Sequence, residues 1–297
     1  MTGAAVGGIP RRALGALLAG SGAARAAETA PRRGALRFAM EFDDPRRPLL
    51  RRQGGPFDPY HAYFSAVPDR YWGEESTVAT DPSFEPAPVN PFTVARGFLR
   101  IEAKPVPPRY AATSPKPYVG GVLTTANGPH WARTTGGFEQ KFGFWEVRCR
   151  MARTRSFWSS FYLNGGIRHG RDLTSGEIDM FECLGHQTRS VYQTAHDNWS
   201  KPKWTNHQEW HAPFDWSEGF HTYGLLWAPD RIVWYVDGAE TYRATEPMVA
   251  AYRERCGPMF MVIGLGIGAP QSWPGPPDDS TVFPGQFDID WIRVHAV

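Results

Sequence analysis

Three carboxylic acids lie within six residues of the 297-residue chain, Glu177, Asp179 and Glu182, with only isoleucine, methionine and phenylalanine between them. Acids interleaved with large apolar side chains predict a β-strand with one face in a core and the other turned toward a common target, because successive side chains of a strand point to opposite faces. Glu177 and Asp179 then share a face. Glu182 is an odd number of positions from both, so a regular strand would point it into the core. One β-bulge between Asp179 and Glu182 would return it to the acidic face.

Two carboxyl groups on one face, with a third between them, suit the cleavage of a glycosidic bond. One acid attacks or stabilises the sugar carbon, and the other protonates the leaving oxygen. The middle acid can hydrogen-bond the nucleophile and separate the pKa values of the set. A solvated acidic edge strand explains the spacing equally well, since carboxylate clusters also arise for structural reasons. The run by itself leaves both interpretations open.

The rest of the chain predicts an all-β domain. Glycine and proline together supply 58 residues and aromatic residues 14% of the chain, with 12 tryptophans, which is typical of many strands joined by turns. Strand signals recur from residue 36 to the end, and only 248–255 predicts a helix. Because no internal repeat or linker interrupts the series, we expect 36–297 to form one large antiparallel β-sandwich.

The first residues read as an export signal. Arg11-Arg12 precedes an apolar, small-residue stretch at 13–24, and the Ala-Arg-Ala sequence at 24–26 resembles a small-x-small cleavage site. Paired arginines indicate a twin-arginine-type signal peptide over 1–26, followed by a flexible junction at 27–35. We therefore expect a secreted or periplasmic protein. A disordered leader rich in alanine and arginine is the alternative.

Charge and composition restrict the partners. Without the three arginines of the leader, the formal charge of +2 falls to about −1, which gives no indication of a nucleic-acid partner or a membrane surface. No apolar run approaches the ~18 residues of a membrane span. The three cysteines, Cys149, Cys183 and Cys256, allow one disulfide, and their spacing does not select the pair. We expect a monomer.

The acidic run resembles the active-site signature of glycoside hydrolase family 16, in its bulged form with two residues before the last acid. Further stretches resemble segments of the same family in the same order, so that the resemblance covers roughly 36–297. These stretches are 142–148, 157–163, 220–227, 234–238 and 287–294. The chain departs from the family pattern at Tyr162, where the family has a tryptophan, and over 43–92, which does not align.

The resemblance implies a β-jelly roll sandwich of the concanavalin A-like lectin and glucanase type, with a concave sugar-binding cleft. It assigns Glu177 as nucleophile, Asp179 as assisting acid and Glu182 as general acid/base of a retaining, double-displacement hydrolysis. The expected activity is that of a secreted endo-β-glycanase acting on a β-1,3- or β-1,3-1,4-glucan or a bacterial exopolysaccharide. A non-catalytic carbohydrate-binding protein and a transglycosylase on the same scaffold are the alternatives.

Four other residues are candidates for sugar binding. His196 follows the acids closely, and the next strand would bring it beside them, where it could orient a carboxylate or bind sugar. Trp158 could stack on a sugar ring, and Trp145 and Trp199 are further candidates for the cleft. A place in the core is the alternative for each.

The resemblance also implies a structural calcium ion, away from catalysis. The matching positions are Glu41, Gly97 and Asp290, the first two through backbone oxygens. A carboxylate with carbonyl oxygens suits calcium. A purely structural Asp290 in the last strand is the alternative. The chemistry itself requires no cofactor.

Overall fold

Sixteen strands, one α-helix and two short 3-10 helices make up the part of the chain that the computed structural model describes, residues 31–59, 76–126, 137–165 and 176–297. The predicted signal peptide at 1–26 and the start of the junction lie outside these residues. The strands are β1 Leu36–Glu41, β2 Asp58–Pro59, β3 Thr77–Ala79, β4 Phe92–Ala95, β5 Phe98–Pro105, β6 Tyr118–Thr124, β7 Gly143–Arg150, β8 Phe157–Gly165, β9 Glu177–Leu184, β10 Ser190–Asp197, β11 Trp204–His211, β12 His221–Ala228, β13 Arg231–Val236, β14 Ala239–Arg243, β15 Met259–Ile267 and β16 Gly285–His295. The helix α1 is Glu246–Arg255, and the 3-10 helices are Arg51–Gln53 and Pro108–Tyr110.

The strands form two sheets, and an unbroken series of strand pairings runs through both of them. The front sheet has the order β11-β10-β9-β8-β15-β6, and the back sheet has the order β5-β16-β7-β12-β13-β14. The short pairing of β5 with β6, at Lys104 with Val119 and Pro105 with Tyr118, joins them at one edge. At the opposite edge, Thr241 of β14 donates a hydrogen bond to Gln193 Oε1 of β10 (3.0 Å). The predicted antiparallel sandwich is therefore confirmed, and a short parallel pair, β3 with β6, is added to it.

The core lies between the two sheets and is built by the alternation of side chains along each strand. In β8, buried residues alternate strictly with half-buried ones over nine positions. Phe181 of β9 shows the contact between layers, since its ring centroid lies 4.7 Å from that of Tyr223 in β12 and 6.2 Å from that of Phe287 in β16. All three rings are buried. The inner face of the strand that carries the acids is thus fixed against the back sheet.

Pro229-Asp230 and Asp237-Gly238 are turn signals in the sequence, and the structure has a turn at each of them. Pro229 and Asp230 connect β12 to β13, and Asp237 and Gly238, with φ of 48° and 80°, connect β13 to β14. Positive φ at both central residues suits the twist of a two-residue hairpin. Helix α1 begins two residues before the predicted 248–255 segment. No helix in the described ranges is long and apolar enough to cross a membrane.

The ordered domain begins before the predicted boundary at residue 36. Arg33 makes two hydrogen bonds to the buried Glu146 carboxylate of β7 (2.6 and 2.7 Å), and Gly34 N–H donates to the Ala296 carbonyl. The burial of Glu146 requires a cationic partner of this kind. Residues 33–35 therefore belong to the fold, and the flexible junction predicted at 27–35 is too long at its C-terminal end.

The three cysteines do not pair. Cys149, Cys183 and Cys256 are free and buried, and burial raises the pKa of the Cys149 and Cys183 thiols well above the ordinary value. The disulfide that the sequence left open is absent, and the thiols serve as small apolar groups in the core.

Candidate active site

All three acids of β9 lie on the outer face of the front sheet. In the pairing of β9 with β10, Glu177 lies opposite His196, Asp179 lies opposite Thr194, and Glu182 lies opposite Tyr192. Directly paired residues of two strands share a face, and residues two apart on one strand do as well. The side chains of Glu177 and Glu182 are partly exposed, whereas that of Asp179 between them is 5% exposed. The strand therefore presents a buried acid flanked by two accessible ones.

The predicted bulge is present and lies at Met180. Between Asp179 and Glu182, β9 has two residues where β10 has one, and the pairing with β8 shifts at the same place. The extra residue lets both Met180 and Phe181 turn inward, where they are 1% and 0% exposed. It also rotates Glu182 to the face of the other two acids, as the odd spacing requires.

His196 and Asn164 contact the acids from the two neighbouring strands. His196 Nε2 lies 2.9 Å from Asp179 Oδ2 and 3.7 Å from Glu177 Oε1. Asn164 of β8, which pairs directly with Glu177, donates from Nδ2 to Glu177 Oε2 (3.0 Å). Glu177 is therefore held between an amide donor and an imidazole, and His196 joins the two acids in one network.

Burial and charge set the protonation of this network. Burial is the largest cause that raises the pKa of Glu177, the negative charge of Asp179 is the second, and the pKa reaches about 7. The charge of His196 and the hydrogen bond from Asn164 act in the opposite direction. Burial lowers the pKa of His196, but the hydrogen bond to Asp179 and the charges of both acids outweigh it and raise that pKa above its ordinary value. Glu177 thus ionises near neutral pH beside an imidazolium that favours its anion.

A tyrosine from helix α1 fixes the backbone at the first acid. The Tyr252 side chain is fully buried, and its hydroxyl accepts the Glu177 N–H (2.9 Å). The same oxygen lies 2.5 Å from the Glu177 carbonyl and 3.0 Å from the His196 carbonyl, and these two acceptors share its single O–H proton. One side chain therefore connects β9 and β10 at the two residues whose side chains form the network.

Aromatic side chains lie near the other end of β9. Trp158 of β8 pairs with Leu184, two residues beyond Glu182, and its ring lies edge to face with that of Trp273 at 6.0 Å between centroids. Trp273 also contacts Tyr192 of β10 (4.5 Å) and is 49% exposed. An exposed indole against Tyr192, the residue that pairs with Glu182, is suited to stacking on a sugar.

Of the other two predicted tryptophans, one lies in the core and the other at the Glu177 end of β9. Trp145 is 0% exposed in the core between the sheets, because its position on β7 points inward, so its prediction as a cleft residue is wrong. Trp199 is half-buried at the Glu177 end, where its ring packs edge to face on Tyr252 at 5.1 Å and closely approaches Gly176. This placement leaves part of the Trp199 ring accessible, and its contact with sugar stays a prediction.

Two of the three residues predicted to bind calcium, Asp290 and Glu41, have side chains in ion pairs. Asp290 Oδ2 accepts from Arg148 (2.6 Å), and Glu41 Oε1 accepts from Arg293 (2.7 Å). A calcium ion at Asp290 would have to displace or oppose a guanidinium, which the charge balance disfavours. Gly97, with φ of 82°, forms the turn between β4 and β5. Calcium at Glu41, Gly97 and Asp290 stays a prediction, and the ion pair bears on it only at Asp290, because the other two residues were expected to bind through backbone oxygens.

The described ranges contain one group of acids and histidines compact enough to hold a small cation. One ligand atom each from Glu177, Asp179 and His196 lies within 4.8 Å of the others. The hydrogen bond between His196 and Asp179 already uses two of these atoms, so the geometry is equally that of a self-satisfied network.

The fold and the site define a class of protein: a β-sandwich that presents three carboxyl groups on one strand, in an order suited to glycosidic bond cleavage. Residues 122–293, more than half of the chain, match the family model of glycosyl hydrolases family 16. Endo-1,3-1,4-beta-glycanase EglC of Rhizobium meliloti (strain 1021) is 30% identical over 219 residues, which cover 73% of this chain and 42% of that protein. The chain belongs to glycosyl hydrolases family 16, as its sequence resemblance implied.

Solved structures agree with this family. The catalytic domain of an endo-1,3-beta-glucanase (laminarinase) from Thermotoga petrophila RKU-1 superimposes with a TM-score of 0.69 at 29% identity, covering 88% of this chain and 97% of that chain. The laminarinase catalytic domain from Thermotoga maritima MSB8 gives 0.70 at 29% identity, covering 90% and 99%. The jelly-roll fold is therefore confirmed. The chain spans less than half the length of the curated relatives it matches first.

Sequence reasoning missed three residues of the site. Asn164 could have been found, because it follows Tyr162 by two positions on the same strand face. Trp273 lies in the connection between β15 and β16, and the Trp273-Pro274-Gly275 stretch resembles the exopolysaccharide depolymerase and mixed-linkage glucanase branch of the family without indicating a place beside the acids. Tyr252 lies on a helix 75 residues from Glu177, and nothing local in the sequence relates the two.

The charge of His196 can be tested by its effect on Glu177. We expect His196→Gln to raise the pKa of Glu177 above about 7, because the variant removes the imidazolium that stabilises the Glu177 anion while an amide can still donate to Asp179. Carboxyl ¹³C NMR titration measures the midpoint. His211→Gln, at a histidine whose side chain is 74% exposed, is the control and should leave the midpoint in place. An unchanged or lower midpoint in His196→Gln would contradict this electrostatic account.

The raised pKa of Glu177 also predicts a cost to stability. Between pH 4.5 and about 7 the folded protein holds a proton on Glu177 that the unfolded chain has released, so this group's contribution to the free energy of unfolding falls as pH rises through that range. Glu177→Gln has no such loss. We expect it to be more stable than the wild type at pH 8 by about 1–3 kcal/mol and nearly equal at pH 4.5. Urea unfolding at both pH values, with the exposed Glu218→Gln as control, measures this. Equal stability at pH 8 would show that Glu177 is not destabilising.

Proposed function

We propose that this chain is an endo-acting β-glucanase that hydrolyses β-1,3 or mixed β-1,3-1,4 linkages with retention of anomeric configuration. The observation that carries the proposal is the arrangement of Glu177, Asp179 and Glu182 on one strand face across a bulge. The names of its relatives support the substrate class, since they are an endo-1,3-1,4-beta-glycanase and two laminarinases.

Each acid has a distinct part in this reaction. Glu177, once ionised, attacks the anomeric carbon and forms a glycosyl ester, while Glu182 gives its proton to the departing glycosidic oxygen. Glu182 then takes a proton from the water that attacks the anomeric carbon, which breaks the ester and restores both carboxyl groups. Asp179 is hydrogen-bonded to His196 and lies beside Glu177, where its charge raises the pKa of the nucleophile.

Two contacts of Glu177 suit the role of nucleophile, because they oppose the burial and the Asp179 charge that raise its pKa to about 7. Glu177 accepts a hydrogen bond from Asn164 and has the positive charge of His196 nearby, and both stabilise a carboxylate. Glu182 lies toward the aromatic end of β9, on the side of Trp158 and Trp273. We infer that the leaving part of the chain is held at that end.

Aromatic groups at both ends of β9 support an endo mode of action. Trp199 lies by Glu177, and the Trp158–Trp273 pair lies by Leu184. The eight residues of β9 extend roughly 25 Å at the usual rise per residue. Sugar-stacking side chains on both sides of the acids are what a polymer crossing the site in its middle would contact.

Removal of each carboxyl group should give a different product with azide. On a dinitrophenyl β-glycoside of a glucan disaccharide, we expect Glu177→Ala to be inactive. Added azide should restore turnover and yield an α-glycosyl azide, because azide takes the place of the nucleophile. Glu182→Ala should lose about 10²–10⁴-fold on laminarin or lichenan and should yield a β-glycosyl azide, because azide attacks the intermediate. The ¹H NMR coupling at the anomeric position separates the two products.

The wild type and its products provide the control. Sizing of laminarin and lichenan digests should show oligosaccharides early, as an endo enzyme produces. Release of the α-anomer first, or the same azide product from both variants, would contradict a retaining mechanism with these roles. Binding of either glucan without the release of reducing ends would identify a carbohydrate-binding protein instead.

We further propose that residues 1–26 direct export, on the evidence of Arg11-Arg12 and the apolar stretch that follows. A reporter fused to 1–26 should reach the periplasm of a bacterial host. The Arg11→Lys, Arg12→Lys double variant should keep it in the cytoplasm, since the change retains the charge but removes the arginine pair. Equal export of both fusions would argue against a twin-arginine signal.

A further inference from the structure

A buried hydrogen bond connects the back sheet to the catalytic strand at the bulge. Trp234 of β13 is 0% exposed, and its indole Nε1–H donates to the backbone carbonyl of Asp179 at 2.7 Å. Donor and acceptor belong to different sheets and are 55 residues apart in the chain. The bond therefore crosses the core and ends on the central residue of the acidic group.

The bulge explains why this carbonyl needs a donor from another sheet. An extra residue disrupts the ladder of strand-to-strand hydrogen bonds on the bulged strand. Asp179 is the last residue before the extra position, and Met180 and Phe181 beyond it are buried in the core. A buried carbonyl without a partner is unfavourable, so a strand that bulges here is stable only if something donates to this oxygen.

Other buried tryptophans show that packing alone does not require such a bond. Trp145 of β7 and Trp227 of β12 are also 0% exposed on the back sheet, and in the described structure their Nε1 atoms have no hydrogen-bond partner. The core thus tolerates indoles that only fill volume. Trp234 differs from them because its N–H is used, at the irregular position of β9.

We propose that Trp234 is a positioning residue of the active site, whose indole N–H holds the bulge that brings Glu182 to the same face as Glu177 and Asp179. In a regular strand Glu182 would point into the core, so the register at Met180 decides whether the proton donor faces the substrate. The inference rests on the proposed function for its catalytic consequence, and its structural part stands on the hydrogen bond alone.

The test compares two changes that remove similar volume. Trp234→Phe deletes the bonded N–H, and Trp145→Phe deletes an unbonded one. We expect the kcat of Trp234→Phe on laminarin or lichenan to fall on the order of 10- to 100-fold with little change in KM, because small misplacements of a catalytic group have effects of this size. Its kcat/KM on a dinitrophenyl β-glycoside should fall much less, because that leaving group departs without a proton from Glu182. Trp145→Phe should change the activity on the polymer and the activity on the dinitrophenyl β-glycoside by the same factor.

A second substitution separates the N–H from the fold. Replacement of Trp234 by benzothienylalanine, which has sulfur in place of the N–H, keeps the bicyclic ring and should show the same selective loss on the polymer. If both Trp234 variants lose activity on the two substrates in equal proportion, or keep full activity on the polymer, the positioning role is overturned.

Hydrogen exchange distinguishes this inference from the proposed function. If the wild type turns over none of these substrates, the proposed function fails, and exchange of the β9 amides still decides the role of Trp234. Faster exchange around 179–182 in the Trp234 variants than in Trp145→Phe supports the bulge contact. Equal exchange in all variants overturns it.

Discussion

The position of one extra residue, Met180, determines the chemistry of the whole front sheet. A strand without it would place Glu182 in the core, where an unpaired carboxyl group is strongly unfavourable, and would leave two acids on the surface instead of three. With it, two adjacent apolar residues, Met180 and Phe181, enter the core together and the acid after them returns outward. The same irregularity therefore serves the packing of the core and the grouping of the three acids, and the sandwich stabilises it from the opposite side through the Phe181 ring contacts and the Trp234 hydrogen bond.

Stability and reactivity are in opposition at Glu177. The site holds this acid next to a second, nearly buried acid, and burial with like charge raises its pKa to about 7. His196 and Asn164 only partly compensate. The remaining strain is contained because Tyr252 fixes the backbone of Glu177 and His196, so the network cannot relax by separating the strands. The packing of the large hydrophobic core offsets the cost of this site to the free energy of unfolding.

Much of this arrangement follows from the sequence because it is local. The alternation around Glu177 and Asp179, the odd spacing of Glu182 and the turn at Asp237-Gly238 each specify strand faces and register within a few residues, and the structure agrees with them. What the sequence did not show is non-local. Trp145 and Trp158 both lie on aromatic strands, but only the pairing of those strands decides that one faces the core and the other the outer surface. Tyr252 acquires its role only because helix α1 packs behind the ends of β9 and β10.

The buried thiols have a consequence for where this protein can fold. All three cysteines are buried and none is cross-linked. The native state therefore has no disulfide bond whose formation depends on the redox potential of its surroundings. It likewise contains no cross-link that a reducing compartment would remove.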